Sequence, residues 1–235
     1  MGNSDQQLAE AVYLEACEPY DLKRYAEALP LMKRAAELGH PLAQTALAFM
    51  YQYGNGVEKD QKQAMFWFSE VAGQGNAVGQ WLLGSTYERG EGFPADYEKA
   101  MFWYRKAAEQ GNARGQWYIG HMYEDGKGVA QDYDEAMRWY LKSAEQGDPY
   151  AYFSMGKMYE DGVGVPQDFA KAREWYIKIY NAGNRSVIDE LERLAFKERK
   201  AAGNTQPDSF PQNKALDHFY KELLKRIETH GGKDA

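Results

Sequence analysis

The sequence predicts an all-α fold, an α/α superhelical solenoid of stacked helical hairpins, on three observations. Gly39, Gly75, Gly111, Gly147 and Gly183 stand 36 residues apart, and Ala28, Ala64, Ala100, Ala136 and Ala172 keep the same step. Within each unit the apolar residues follow the three-and-four spacing of two amphipathic helices. A unit this short cannot bury a core alone, so neighbours have to stack, and the long surface that results suits recognition better than chemistry.

Residues 1–41 read as a degenerate capping repeat, with helices expected near 5–17 and 25–38 and with Glu18 and Tyr20 in place of loop glycines. Four full units follow without a gap, at 42–77, 78–113, 114–149 and 150–185. In the first of them Ala43, Leu47, Ala48 and Tyr51 mark one helix, and Ala64, Trp67, Phe68 and Val71 mark the next. Between units, Gly75-Asn76, Gly111-Asn112 and Gly147-Asp148 pair a glycine able to end one helix in the left-handed conformation with a residue able to cap the next. Pro41 and Pro149 fall in a first helical turn, where a missing N–H costs nothing. Inside each unit a G-x-G-V type loop (Gly54, Gly56, Val57; Gly126, Gly128, Val129) ends at an N-capping aspartate: Asp60, Asp96, Asp132 or Asp168. These glycines follow helices and not a strand, so they do not read as a phosphate-binding loop.

Gly84, Gly120 and Gly156 fall inside helices, where glycine costs about 1 kcal/mol relative to alanine. With Ala48 in the same phase, they predict a neighbouring helix too close for a larger side chain. Beyond the last unit Leu191 keeps phase, whereas Glu192 and Ala195 break it, so 186–200 is expected to be a capping helix. Residues 201–213 read as a linker. Residues 214–235 read as a C-terminal amphipathic helix and tail, with Leu216, Phe219, Tyr220, Leu223 and Ile227 on one face. That face is expected to fold back over the exposed end of the solenoid, the alternative being that it docks a partner or occupies the protein's own groove.

Composition narrows the function classes. With 18 Tyr, 10 Phe and 6 Trp in 235 residues the chain is too aromatic for disorder. A net charge of −7 argues against nucleic acid and points to basic or mixed-charge proteins as partners. Cys17 is the single cysteine, which rules out an intramolecular disulfide. The start shows no basic stretch followed by an apolar one, so a cytoplasmic location is expected, and no run of about 18 apolar residues predicts membrane insertion. Four histidines, without H-E-x-x-H, a nucleophile elbow or paired-cysteine spacing, assign no catalytic residue, metal or cofactor. His121 beside Glu124 and Asp125 is the one local cluster, and Ser85 and Lys157 at the same phase argue for a surface histidine.

The units, with G-x-G-V, D-x-x-x-A-x-x-W-Y and A-A-x-x-G-N, resemble Sel-one-like repeats, relatives of the tetratricopeptide class, closely over 42–185 and loosely over 6–41. The resemblance implies non-enzymatic scaffold or adaptor work, binding a peptide or protein surface in a concave groove. Some bacterial members look like immunity proteins that neutralise a secreted toxin, commonly a lipase-type effector, which is the alternative reading. A cysteine-rich branch is associated with β-lactam binding or hydrolysis and relies on a disulfide in each repeat. Cys17 alone cannot supply that, so the hydrolase reading is not carried over.

In the related superhelices the first helix of each pair lines the groove. That phase places Phe49, Tyr53, Trp81, Arg89, Arg114, Trp117, His121, Tyr150, Phe153 and Lys157 as partner-binding residues, along with Gln52, Ser85, Glu88, Glu124, Asp125, Glu160 and Asp161. Trp81, Trp117 and Phe153, one repeat apart, would span on the order of 20 Å, which fits roughly six residues of extended peptide. Groove and core readings of these rings both stand. Trp67, Trp103, Trp139 and Trp175 are expected to pack between repeats, and Glu88, Glu124 and Glu160 to form a solvated acidic stripe.

Overall fold

A computed structural model describes residues 3–201, and it is helical throughout, with no strand among the described residues. The helices are α1 (Asn3–Asp21), α2 (Tyr25–Glu37), α3 (Pro41–Tyr53), α4 (Gln61–Gly73), α5 (Ala77–Arg89), α6 (Tyr97–Glu109), α7 (Ala113–Asp125), α8 (Tyr133–Glu145), α9 (Pro149–Asp161), α10 (Phe169–Asn181) and α11 (Ile188–Ala201). A 3-10 turn, Arg185–Val187, precedes the last. The expected C-terminal helix and all but the first residue of the expected linker lie outside the described residues.

Each helix from α3 to α10 is 13 residues long, because the same punctuation recurs. The carboxylates of Asp96, Asp132 and Asp168 each accept a backbone N–H three residues on, at 3.0 Å. Asn76 and Asn112 cap the first helices in the same way, and Asp148 accepts the N–H two residues on, each cap contributing about 1 kcal/mol. His40 replaces the asparagine before α3, its ring Nδ1 accepting from Ala43 N–H at 3.3 Å. Gly75 has φ 83 with open space where a Cβ would stand, so conformation explains that glycine. The first hairpin differs from expectation. With Glu18 and Tyr20 where glycines would stop it, α1 runs on to Asp21, and Lys23 makes the turn at φ 57.

The chain divides into two compact units, 1–151 and 152–235. In the first, each helix from α1 to α8 packs on the next, which is the stacked-hairpin solenoid class. Each layer of its core mixes residues from successive hairpins. Met32 and Ala36 pack with Leu47 and Met50, Phe68 and Ala72 with Leu82 and Leu83, and Tyr104 and Ala108 with Ile119 and Met122. Trp67, Trp103 and Trp139 lie half-buried against these layers. Residues of α5 also meet α7 directly, a closeness no pair of second helices matches among the described residues. In the second unit, Tyr176 and Ile179 of α10 pack with Val187, Leu191 and Leu194.

One arrangement recurs inside the hairpins. A Cβ added to Gly84 would lie 2.7 Å from the Tyr104 ring, and one added to Gly120 would lie 2.7 Å from Tyr140, while Gly156 faces Tyr176 in the same way. The hydroxyl of each ring then donates to a glutamate one helical turn past the glycine: Tyr104 to Glu88 at 2.6 Å, Tyr140 to Glu124, and Tyr176 to Glu160 at 2.7 Å. In the first full unit the corresponding residues are Ala48, Phe68 and Gln52, so the hydroxyl and the carboxylate are lost together.

Gly120→Leu should drive a side chain into the Tyr140 ring and cost about 1–3 kcal/mol. Thermal unfolding followed by circular dichroism checks this, and an unchanged midpoint would contradict the packing described.

Candidate functional site

The first helices of the first unit present a face at helical spacing: Leu42, Thr45, Phe49 and Tyr53 on α3, Val78, Trp81 and Arg89 on α5, and Arg114, Trp117, His121 and Asp125 on α7. Tyr150, half exposed, stands in the first turn of α9.

Arg114 organises the centre of this face. Its guanidinium carbon lies 3.7 Å from the centroid of the Tyr150 ring and 5.9 Å from those of Trp81 and Trp117. Its Nε donates to Asp148 Oδ2 at 3.1 Å. Asp148 is nearly buried, and its other oxygen accepts from Tyr150 N–H at 2.8 Å. The aspartate that caps α9 therefore aims an arginine of α7 onto the tyrosine two residues beyond the cap. Trp117 lies 5.4 Å from both Tyr150 and His121 and 4.7 Å from Tyr118. Tyr118 stacks on Trp81 at 5.8 Å and on Tyr104 at 4.5 Å. Trp81, Arg114, Trp117, His121 and Tyr150 are thus brought together, with Trp81 and Trp117 half-buried and Trp81 packed against the core layer of Tyr104 and Ile119.

Next to this cluster the charges are matched. Lys127 Nζ lies 2.8 Å from Asp125 and 3.7 Å from Glu88. His121 Nδ1 stands 3.6 Å from Asp125 and 3.8 Å from Glu88, beyond hydrogen-bond reach. Among the described residues no group of three or more His, Cys, Asp or Glu side chains is arranged to hold a metal.

Of the remaining expected residues of the first unit, Phe49, Tyr53 and Arg89 take no part in the contacts of the cluster. Phe49 and Tyr53 pair at 6.0 Å on α3; Phe49 also turns an edge to Phe68 at 5.3 Å and so belongs partly to the core, while Tyr53 is exposed. Arg89 pairs with Glu91 at 3.3 Å. Phe153 and Lys157 belong to the second unit, where Phe153 leans on Tyr176 at 5.7 Å and Lys157 pairs with Asp161 at 2.7 Å.

Two expectations are corrected. Gln52 and Ser85 are buried and do not belong to the face. Glu88, Glu124 and Glu160 are not a solvated stripe, because each accepts the hydroxyl of a packed tyrosine. Burial, with the Glu88 carboxylate beside it, holds the Tyr104 phenol far above its ordinary range, so it stays a donor. Glu160 is fully buried. Burial alone would raise its carboxyl, but hydrogen bonds from Arg193, Lys197 and Tyr176 and the charge of Lys157 outweigh it and lower the pKa to about 2. The cross-repeat role of Asp148 was also missed. Its signal is that the one acid among His40, Asn76, Asn112 and Asp148 accompanies the one charge among Leu42, Val78, Arg114 and Tyr150.

A model of the Sel1 repeat matches residues 20–40, 41–76, 77–112, 113–148 and 149–184. Among solved structures, a protective antigen of uropathogenic Escherichia coli with an SLR fold is 31% identical at a TM-score of 0.70, over 92% of this chain and 46% of its own. The chain therefore spans about half the length of that antigen. A Sel1 repeat protein from Oxalobacter formigenes is 28% identical at a TM-score of 0.73, over 93% of this chain and 88% of its own. An immunity protein from Pseudomonas aeruginosa is 24% identical at a TM-score of 0.60, over 95% and 83%. No curated protein matches the chain.

A carboxyl whose pKa falls on folding, from 4.5 to about 2, stabilises the fold above pH 4.5. That stabilisation, on the order of 3 kcal/mol, is lost as pH drops toward 2. Glu160→Gln should lower stability at neutral pH and flatten the loss between pH 4.5 and 2, read from melting midpoints across that window. An equally steep acid limb in the variant would contradict the assignment.

Proposed function

Because the chain belongs to the Sel1 repeat family, we propose that it is a non-enzymatic scaffold or adaptor that binds a peptide or protein surface on the face of its first helices. The cluster of Trp81, Arg114, Trp117 and Tyr150 carries this reading. Tryptophan, tyrosine and arginine are the residues that dominate binding energy at interfaces, commonly about 2 kcal/mol or more each when truncated. Here they are held in place before any partner arrives, by the Asp148 hydrogen bond and by ring stacking, so little side-chain entropy remains to be lost on binding.

A second reading is a dedicated inhibitor. Immunity proteins of Pseudomonas aeruginosa share the fold at 24% and 22% identity, a likeness of fold alone, so affinity has to separate the two readings. A scaffold exchanges its partners at micromolar strength, whereas an inhibitor holds one target at about nanomolar Kd or tighter.

With the partner recovered from the native host, Trp81→Ala combined with Trp117→Ala should weaken binding at least tenfold in a surface-bound titration, at unchanged helicity. Tyr150→Ala, at a half-exposed position, should do the same with little loss of stability. Full affinity in both variants would place the site elsewhere.

A further inference from the structure

The terminal nitrogens of Arg114 are unused cationic chemistry on this face. A guanidinium carries five N–H groups, and Asp148 takes only the one on Nε. Among the described residues the two terminal amino groups of Arg114 meet no acceptor, although the side chain is only 26% exposed and its plane lies against Tyr150. Three ring centroids lie within 6 Å of the guanidinium carbon, and the partial burial of the side chain strengthens a charge-assisted hydrogen bond made there. The other cations on the face are engaged: Arg89 with Glu91, and Lys127 with Asp125. So are the carboxylates a basic ligand would need, with Glu88 receiving the Tyr104 hydroxyl and Asp125 paired to Lys127. The net charge of −7 suggests a basic partner, yet at this spot the open valence is for an acid.

Apolar side chains flank the arginine in both directions, with Val78 exposed on α5 and Tyr150 exposed on α9. A ligand that used both flanks would continue past Arg114 and not end there. We infer that the face receives a through-running peptide segment in which one internal aspartate or glutamate, between apolar or aromatic residues, sits on the terminal nitrogens of Arg114. This rests on the binding function proposed above and names the chemistry of its partner. Asp148 is a positioning residue: it fixes the Nε edge and leaves the other edge open.

Panning a library of random hexapeptides, displayed with both peptide ends blocked by flanking sequence, against the full chain tests this. The selected sequences should carry a central acid with apolar or aromatic neighbours. A synthetic, end-blocked copy should lose roughly tenfold to a hundredfold in affinity when that acid becomes its amide. Arg114→Leu should erase the acid preference while apolar selection persists, and Arg114→Lys, which keeps the charge but not the fork, should retain it in weakened form. Thermal melts of both variants establish that they fold. Enrichment of apolar sequences without an acid, enrichment of basic ones, or an acid preference that survives Arg114→Leu would overturn the inference and leave the binding function standing. If the unaltered protein enriches nothing, both fall.

Discussion

Everything else in this molecule depends on how closely the two helices of a hairpin approach. In three successive hairpins a tyrosine ring lies where a first-helix side chain would be, and its hydroxyl reaches a carboxylate one turn further along. Steric fit and polar satisfaction are thereby solved by one residue. The glycine, costly in a helix by about 1 kcal/mol, makes room for a large buried ring, and the buried hydroxyl, which would otherwise be an unsatisfied donor, is given an acceptor. The first full unit solves the same problem with Ala48, Phe68 and Gln52, a slightly larger first residue and no hydroxyl to satisfy.

The fold was largely legible because its determinants are local. Caps, left-handed glycines and apolar spacing act within a few residues, and the 36-residue step repeats them, so hairpin boundaries follow from single positions such as Asp132 or Gly75. Where the local signal was missing the boundary moved, as at α1, which runs to Asp21. The face of the first helices was partly legible for the same reason. Helical phase puts Trp81, Arg114, Trp117 and Tyr150 on one side, but it does not say which charges are spent internally. Glu160 looks like a surface residue by composition and is fully buried, since its partners Tyr176 and Arg193 are 16 and 33 residues away. Such pairings become readable only when the in-phase positions of facing helices are compared, as with Arg114 and Asp148.

The division of labour is physical. Second helices supply tyrosine and alanine to the hairpin interior, while first helices contribute glycine and glutamate inward and tryptophan, arginine and tyrosine outward. The inner contacts hold the first helices firmly enough for the outer side chains to be ordered without a partner. Exposed apolar residues also occur on the second helices, where Phe66 and Phe102 stand one repeat apart, so the molecule offers a competing surface.

Hydroxyl-radical footprinting of the chain with and without its partner distinguishes those two surfaces most directly. The account predicts shielding of Trp81, Trp117 and Tyr150 with Phe66 and Phe102 oxidised as before. Shielding of Phe66 and Phe102 with the tryptophans of α5 and α7 unchanged would contradict it.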